Sequence, residues 1–440
     1  MKKDIFHQIK ELKDFLILWG SQSFSSLGSS MTSYALLIWV YQQSNSTLGV
    51  SLLAVCTYLP SILLSFFAGT FADRHNRKKI MLLCDSIAAI GTISIFLLIS
   101  QGRLEVWHIY LINMLNSIMN AFQTPAHTVT VSELVPCKHY LKIGGLQSIS
   151  GSAVGILTPA LATTLMTFFG VNIILIVDLG SFLIAFLALL FCINLSVSPD
   201  RTKGGHGGSS FLHDCKEGFL FLKNHSAILQ LILYFTAINL VAYIGGGGIT
   251  TTVAAMILSR VPEQGNLVLG VFSSAVGLGT LLGGILVTLM KPPKRRVAVI
   301  FISCAVSFFI CDLALGLSQN PVIWIAANFI GNLPLAFLSA NQSVILRTTI
   351  PVEMQGRVFS ARDTLQYCTI PLGYLFGGLL ADYVFEPLMS GNTALKQFLT
   401  ILVGEGAGSG IAVMFIFTGM IGTIISISAL YNKTLWTLDE

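Results

Sequence analysis

Charged side chains are scarce in this sequence. Lys and Arg number 25 and Asp and Glu 20 among 440 residues, so 10% of the chain is charged, against about 25% in an ordinary soluble domain. That shortage excludes a conventional water-soluble globule, because the hydrophobic residues, 54% of the chain, exceed what such a core can hide. Several chemical signatures are missing too. No G-x-x-x-x-G-K-[ST] loop is present to cradle nucleotide phosphates, which disfavours ATP-driven pumping by this chain alone. Neither H-E-x-x-H nor G-x-S-x-G occurs, so the usual zinc and serine hydrolase arrangements are absent. The eight cysteines stand singly, mostly in apolar stretches and without a C-x-x-C pair. They suggest neither a zinc site nor a disulfide framework and read as small apolar filler. No catalytic group, cofactor or metal is expected.

What the sequence has instead is a series of long apolar runs. A hydrocarbon core about 30 Å thick needs roughly 20 apolar residues at about 1.5 Å of rise each. Nearly uncharged runs predict six spans in the first half, at 15–41, 48–72, 80–100, 106–131, 143–169 and 171–195. Six more follow at 227–258, 267–290, 297–317, 321–346, 359–385 and 411–431. Lys and Arg stay preferentially in cytoplasmic loops, which tests the count. All but Arg103, Arg260 and Lys396 of the 25 fall in segments on one side. The alternation predicts both termini in the cytoplasm of a multi-pass protein of the bacterial plasma (inner) membrane. The net charge of +5 belongs to that asymmetry, so no nucleic-acid partner is expected. The early lysines run into Asp4, Glu11 and Asp14 before the first span, so that span is expected to remain as a signal anchor.

The runs divide into two halves. Residues 1–195 and 226–440 each hold six spans, joined by 196–225, in which Gly204 to Ser210 reads as a flexible linker and 211–222 as an interfacial helix. An offset of 215 residues puts Pro136 on Pro351 and Asn113 on Asn328, and one of 212 puts Pro159 on Pro371. A basic cluster follows the second span of each half, at 73–79 and 291–296. These matches predict an all-α membrane protein of twelve transmembrane helices in two pseudo-symmetric six-helix bundles. Parallel repeats of this kind build transporters with a midplane site.

The most specific local pattern is Gly69-Thr-Phe-Ala-Asp73-Arg74-His-Asn-Arg77-Lys78-Lys79. It resembles the G-x-x-x-D-R-x-x-R-[RK] signature of the major facilitator superfamily. Gly69, Asp73, Arg74, Arg77 and Lys78 are the residues expected to gate. Gly69 permits close helix approach, and Asp73 can face both Arg77 and the N-terminal end of the eleventh span near Phe359. The alternative is that these charges only fix topology. Further matches run along most of the chain: Trp19-Gly-Ser-Gln22, Thr124-Pro-Ala126, Leu134-Val-Pro136, Ile176-Val-Asp178-Leu-Gly180, Lys216-Glu-Gly218, Gly356-Arg-Val-Phe-Ser360, Pro371 and Ala381-Asp382. With them the chain is similar to the macrolide-efflux, drug:proton antiporter branch of that superfamily. The resemblance implies the major facilitator fold and proton-coupled export of amphipathic drugs by a monomer. Gly151-x-x-x-Gly155-x-x-x-Pro159 resembles the exporters' antiporter motif, with Thr158 where a glycine usually precedes the proline. Gly373, Gly377 and the Gly245–Gly248 run are open to a hinge or a packing reading.

Polar residues inside spans need partners or water. Asn113, Asn116, Asn120 and Gln123 share one face of the fourth span, as Gln22, Ser25, Ser29 and Ser33 do in the first, and the tenth and seventh add Asn328 with Asn332 and Asn239 with Tyr243. In the resembled superfamily the first, fourth, seventh and tenth helices line the central cavity. Gln22, Ser29, Asn113, Asn116, Asn120, Asn239, Tyr243, Asn328 and Asn332 are therefore expected at a mostly neutral pocket for a small amphipathic substrate. Interhelical hydrogen bonding is the competing reading. Among the carboxylates within spans, Asp85, Asp178 and Asp312, with His127, are the groups considered for proton coupling. A lipid, lysophospholipid or metabolite transporter of the same fold, and a receptor that does not transport, are the alternatives.

Overall fold

The computed structural model describes residues 12–135, 140–192, 211–246, 251–291, 293–391 and 394–439, and every regular element among them is helical. In hydrocarbon a backbone amide has no water to bond, so a crossing segment must satisfy its own ladder. The first six long helices are Lys13–Ser44, Thr47–Arg74, Arg77–Ser100, Val106–Leu134, Tyr140–Phe169 and Val171–Leu187, the last prolonged by a π turn at Ala188–Cys192. The second set is Ser226–Ile244, Gly265–Leu289, Arg296–Leu317, Pro321–Thr349, a segmented run from Val352 to Ser390, and Ser409–Leu430. Ten of these spans are long and apolar enough to cross a membrane on composition alone. The other two, Lys13–Ser44 and Val106–Leu134, carry the Gln/Ser and Asn stripes. A helix at Phe211–Asn224 occupies the end of the expected linker.

Two boundaries differ from the apolar runs. The seventh run, 227–258, is two helices, Ser226–Ile244 and Thr252–Arg260. Gly245 ends the first, and Gly246 follows at φ +103°, a conformation that side chains rarely adopt. Gly247 and Gly248 lie outside the described residues. The eleventh span begins at Val352 instead of 359, is interrupted at Cys368, and passes through a π turn at Ala381–Phe385 before ending at Ser390.

The chain forms two compact units, 1–44 with 56–201 and 45–55 with 202–440. In the first unit the first span packs on the fifth and sixth, and the third on the fourth and sixth. Phe15, Leu18, Met81, Cys84 and Ala126 lie in its core. Pro60 interrupts the second span, and Ser117 of the fourth span fills the resulting gap: its hydroxyl accepts from the Ser61 amide at 3.0 Å and donates to the Thr57 carbonyl at 2.6 Å. A side chain inserted into the helical ladder at a proline is a recognised cause of a kink.

In the second unit the ninth span packs on the tenth and twelfth, the eighth on the tenth, and Thr369–Leu380 on the seventh. Small residues set those distances. A Cβ at Gly279 or Gly283 would overlap the carbonyl oxygens of Phe329 and Leu333, and one at Gly373 or Gly377 would crowd Tyr243 or the Ile244 carbonyl. By contrast, a Cβ at Gly151 or Gly155 meets no described atom within 4 Å. The π turn also presents Asp382, which accepts from Ser46 Oγ at 2.6 Å and from the amides of Thr47 and Leu48 at 3.1 and 3.0 Å. A carboxylate on the free amides at a helix start contributes about 0.5–2 kcal/mol. Asp382→Asn is expected to lower the melting temperature by a few degrees and to speed hydrogen exchange at Thr47 and Leu48; unchanged exchange at both amides would show that the cap is dispensable.

Candidate functional site

The second unit encloses a cavity of about 430 Å³, within the range of about 300–1,000 Å³ usual for small-molecule pockets. Its walls come from the seventh to twelfth spans, and Asn239, Tyr243, Asn328 and Asn332 all line it. The side-chain amides are held by the backbone: Asn239 Nδ2 donates to the Gln366 carbonyl at 3.2 Å, Asn328 Nδ2 to Trp324 at 3.1 Å and Asn332 Nδ2 to Asn328 at 2.8 Å. Each of these amide nitrogens has one N–H engaged by the backbone, and each amide oxygen is available as an acceptor. Tyr243 stands edge-on to Tyr374 with ring centroids 5.1 Å apart, and Phe235, Phe272 and Phe308 complete an aromatic wall.

Asp312 of the ninth span lines the same cavity. Its carboxylate takes one described hydrogen bond, from Thr418 Oγ1 of the twelfth span at 3.3 Å. The wall around it is otherwise uncharged. This is a neutral, partly aromatic chamber with one acid, suited to an amphipathic guest and to a single exchangeable positive charge.

The remaining expected residues lie in the first unit, in three separate groups. Gln22 Nε2 and Gln123 Nε2 both donate to Asp85, at 3.4 and 2.6 Å, so Asp85 ties the first and fourth spans to the third. Ser29 donates to Asp178 at 2.9 Å, beside Thr32 at 3.0 Å and Thr92 at 3.2 Å. The asparagines of the fourth span separate in environment. Asn113 is buried and bonds the Ile109 carbonyl at 3.0 Å, Asn116 is half-buried with no described partner for its Oδ1, and Asn120 is exposed. His127 is half-buried.

Of the gating residues, Gly69, Asp73 and Arg74 fall in the last turns of the Thr47–Arg74 helix, with side-chain surroundings outside the described residues. Arg77 and Lys78 open the third span, which Asn76 caps through the Lys79 amide at 3.2 Å. Lys78 Nζ donates to the Leu190 carbonyl at 2.9 Å, in the π turn ending the sixth span, a favourable place for a cation at a helix C-terminus.

Sequence reading missed Thr32, Thr92 and Thr418, the hydroxyls that serve the two most enclosed acids. Isolated threonines in apolar helices carry no periodic signal. Searching neighbouring spans for hydroxyls at the depth of each acid would have found them. No cluster of His, Cys, Asp and Glu able to hold a metal occurs among the described residues.

Comparison with known proteins agrees with this architecture. Residues 10–404 match the MFS_3 family, described as transmembrane secretion effectors. Macrolide efflux protein A of Streptococcus pyogenes is 24% identical over 375 residues, covering 84% of this chain and 90% of that protein. YfiS, an uncharacterised MFS-type transporter of Bacillus subtilis, is 27% identical over 418 residues, covering 92% and 95%. A mutant form of the nucleoside transporter NupG superposes with a TM-score of 0.69 at 12% identity, over 94% of this chain and 98% of that one. The chain therefore belongs to the transmembrane secretion effector family of major facilitator transporters, as a multi-pass membrane transporter of small molecules and not an enzyme.

Proposed function

We propose that this transporter is a proton-driven exporter of small amphipathic compounds, macrolides among them, in the bacterial plasma membrane. The observation that carries the reading is the second unit's cavity, where five side-chain amides (Asn239, Asn328, Asn332, Gln342 and Gln366) and an aromatic wall surround one carboxylate. Such a surface binds a bulky, mostly apolar guest by contact area and orients it with a few acceptors. The similarity to a macrolide efflux protein supports the substrate class. In this reading residues 1–195 and 226–440 are the two six-helix bundles, 196–225 is a cytoplasmic linker, both termini face the cytoplasm, and a monomer suffices. On the polar faces of the first and fourth spans, Gln22, Ser29 and Asn113 are held by hydrogen bonds within the unit, and Asn116 and Asn120 are the residues assigned to substrate passage.

The segment from Gly69 to Lys78 is assigned the gate. Roughly 1.4 kcal/mol changes an equilibrium tenfold, so one modest contact at Asp73 is enough to reset the balance between two access states, although the helix start expected near Phe359 lies instead at Val352.

Two outcomes follow. Proteoliposomes carrying the wild-type protein and an imposed pH gradient should concentrate erythromycin against its gradient and stop when the gradient is collapsed; transport of a lysophospholipid instead, or pumping that persists without any ion gradient, contradicts the reading. Asp73→Asn should cut erythromycin turnover about tenfold while leaving expression and melting temperature within error; normal turnover would make the loop a topology signal only.

A further inference from the structure

Each unit contains one carboxylate–threonine pair between its third and sixth spans, with the two partners exchanged. In the first unit Thr92, the sixteenth residue of the third span, donates to Asp178, the eighth of the sixth, at 3.2 Å. In the second, Thr418, the tenth residue of the twelfth span, donates to Asp312, the seventeenth of the ninth, at 3.3 Å. A glycine of the opening span faces each pair. An added Cβ at Gly28 would come within 3.2 Å of Asp178 Oδ1, and one at Gly245 would come within 3.1 Å of Thr418 Oγ1 and 3.6 Å of Asp312 Oδ2. The two arrangements join corresponding spans of the two units, each beside a glycine of the opening span.

They differ in what the opening span adds. After Gly28 the first span continues as helix, and its next turn brings Ser29 and Thr32 onto Asp178. With three hydroxyl donors and 4% exposure, Asp178 is fully engaged inside the unit. After Gly245 the seventh span stops being helical. Asp312 receives no described counterpart of Ser29 or Thr32, keeps the single bond from Thr418, and borders the cavity.

We propose that Asp312 is the coupling carboxylate of the transport cavity, the group whose proton is exchanged for substrate, and that Asp178 is its structural counterpart. This rests on the proton-driven reading above and names the residue for it. The exchange balances simply: the carboxylate takes a proton from water on one side, forming an O–H bond, and returns that proton to water on the other side when substrate occupies the cavity. Proton and substrate then exclude one another, and the exclusion is reciprocal. The other titratable side chains on the wall are Tyr243, Tyr367, Cys304 and Cys311, and none is an acidic or basic residue. The seventh and twelfth spans carry no charged residue, and the charged residues on the other elements packed against the ninth, Arg347 in the last turn of the tenth and Lys396 on the Ala394–Val403 helix, do not line the cavity. Asp312 is thus the cavity's single described charge.

Two kinds of measurement test this, the first on transport and binding by variants and the second on labelling of the wild type. In proteoliposomes Asp312→Asn should reduce gradient-driven erythromycin accumulation at least tenfold, with Asp312→Glu restoring most of it. Erythromycin binding to the wild type should weaken as pH falls, and the asparagine variant should lose that dependence. Gradient-driven accumulation within twofold of wild type in Asp312→Asn would overturn the assignment. Because that variant can fail by misfolding, the second measurement uses wild-type protein treated with dicyclohexylcarbodiimide, which modifies protonated carboxyls in apolar surroundings. Peptide mass spectrometry should find Asp312 modified, erythromycin should protect it, and Asp178 should stay unmodified. Modification of Asp178 with Asp312 untouched would overturn the proposal. Absence of gradient-driven transport in the wild type would instead refute the proton-driven reading, a failure that the labelling result distinguishes from this one.

Discussion

A hydrocarbon interior offers no water to a polar group, and a donor or acceptor left unpaired there costs several kcal/mol. That constraint organises the protein. It makes the described crossing segments helical, and it draws polar side chains inside a unit toward partners. Asp178 gathers three hydroxyls from the first and third spans, Asp85 gathers two amides from the first and fourth, and Ser117 occupies the gap that Pro60 opens in the second span. Each contact joins helices that apolar surface alone holds with little orientation, since lipid tails compete equally for that surface. The polar bonds fix which faces meet, and glycines such as Gly279 and Gly283 fix how closely.

The cavity of the second unit is where the constraint is relaxed. Its asparagines are each held to the backbone by one N–H and keep an acceptor oxygen, and its one acid keeps a single described hydroxyl partner. Groups left partly unsatisfied in this way gain from a guest. The same wall would be a liability in a protein that only had to be stable, and it is expected in one that must bind and release. The seventh span ends at Gly245, whereas the first span runs on as helix past Gly28 and supplies Ser29 and Thr32.

Much of the fold was legible because about 20 apolar residues form a signal far longer than chance, and basic loops mark the side on which each run ends. Hydropathy does not register φ, however. The apolar run at 227–258 continues across Gly245 and Gly246, so a single helix was expected where the chain makes two. Register located Asn239, Tyr243, Asn328 and Asn332 on shared faces of their own helices, and those faces line the cavity. The same logic put Gln22 and Ser29 on a polar face of the first span, without indicating that Asp85 and Asp178 stand opposite. Periodicity tells which residues share a face, and only the packed neighbours tell what that face meets. Asp312 was identifiable as an acid in a span, yet its difference from Asp178 lies entirely in donors contributed by other helices.

The central claim is that one positive charge leaves the cavity when substrate enters it, and proton release on binding reads this most directly. Purified wild-type protein in weakly buffered detergent solution, titrated with erythromycin near neutral pH beside a pH-sensitive dye, is expected to release protons in proportion to the substrate bound, up to about one per site, and Asp312→Asn to release essentially none. Saturable binding to the wild type with no proton release at any pH between 5 and 8, about the range over which drug export would be driven, would contradict the account.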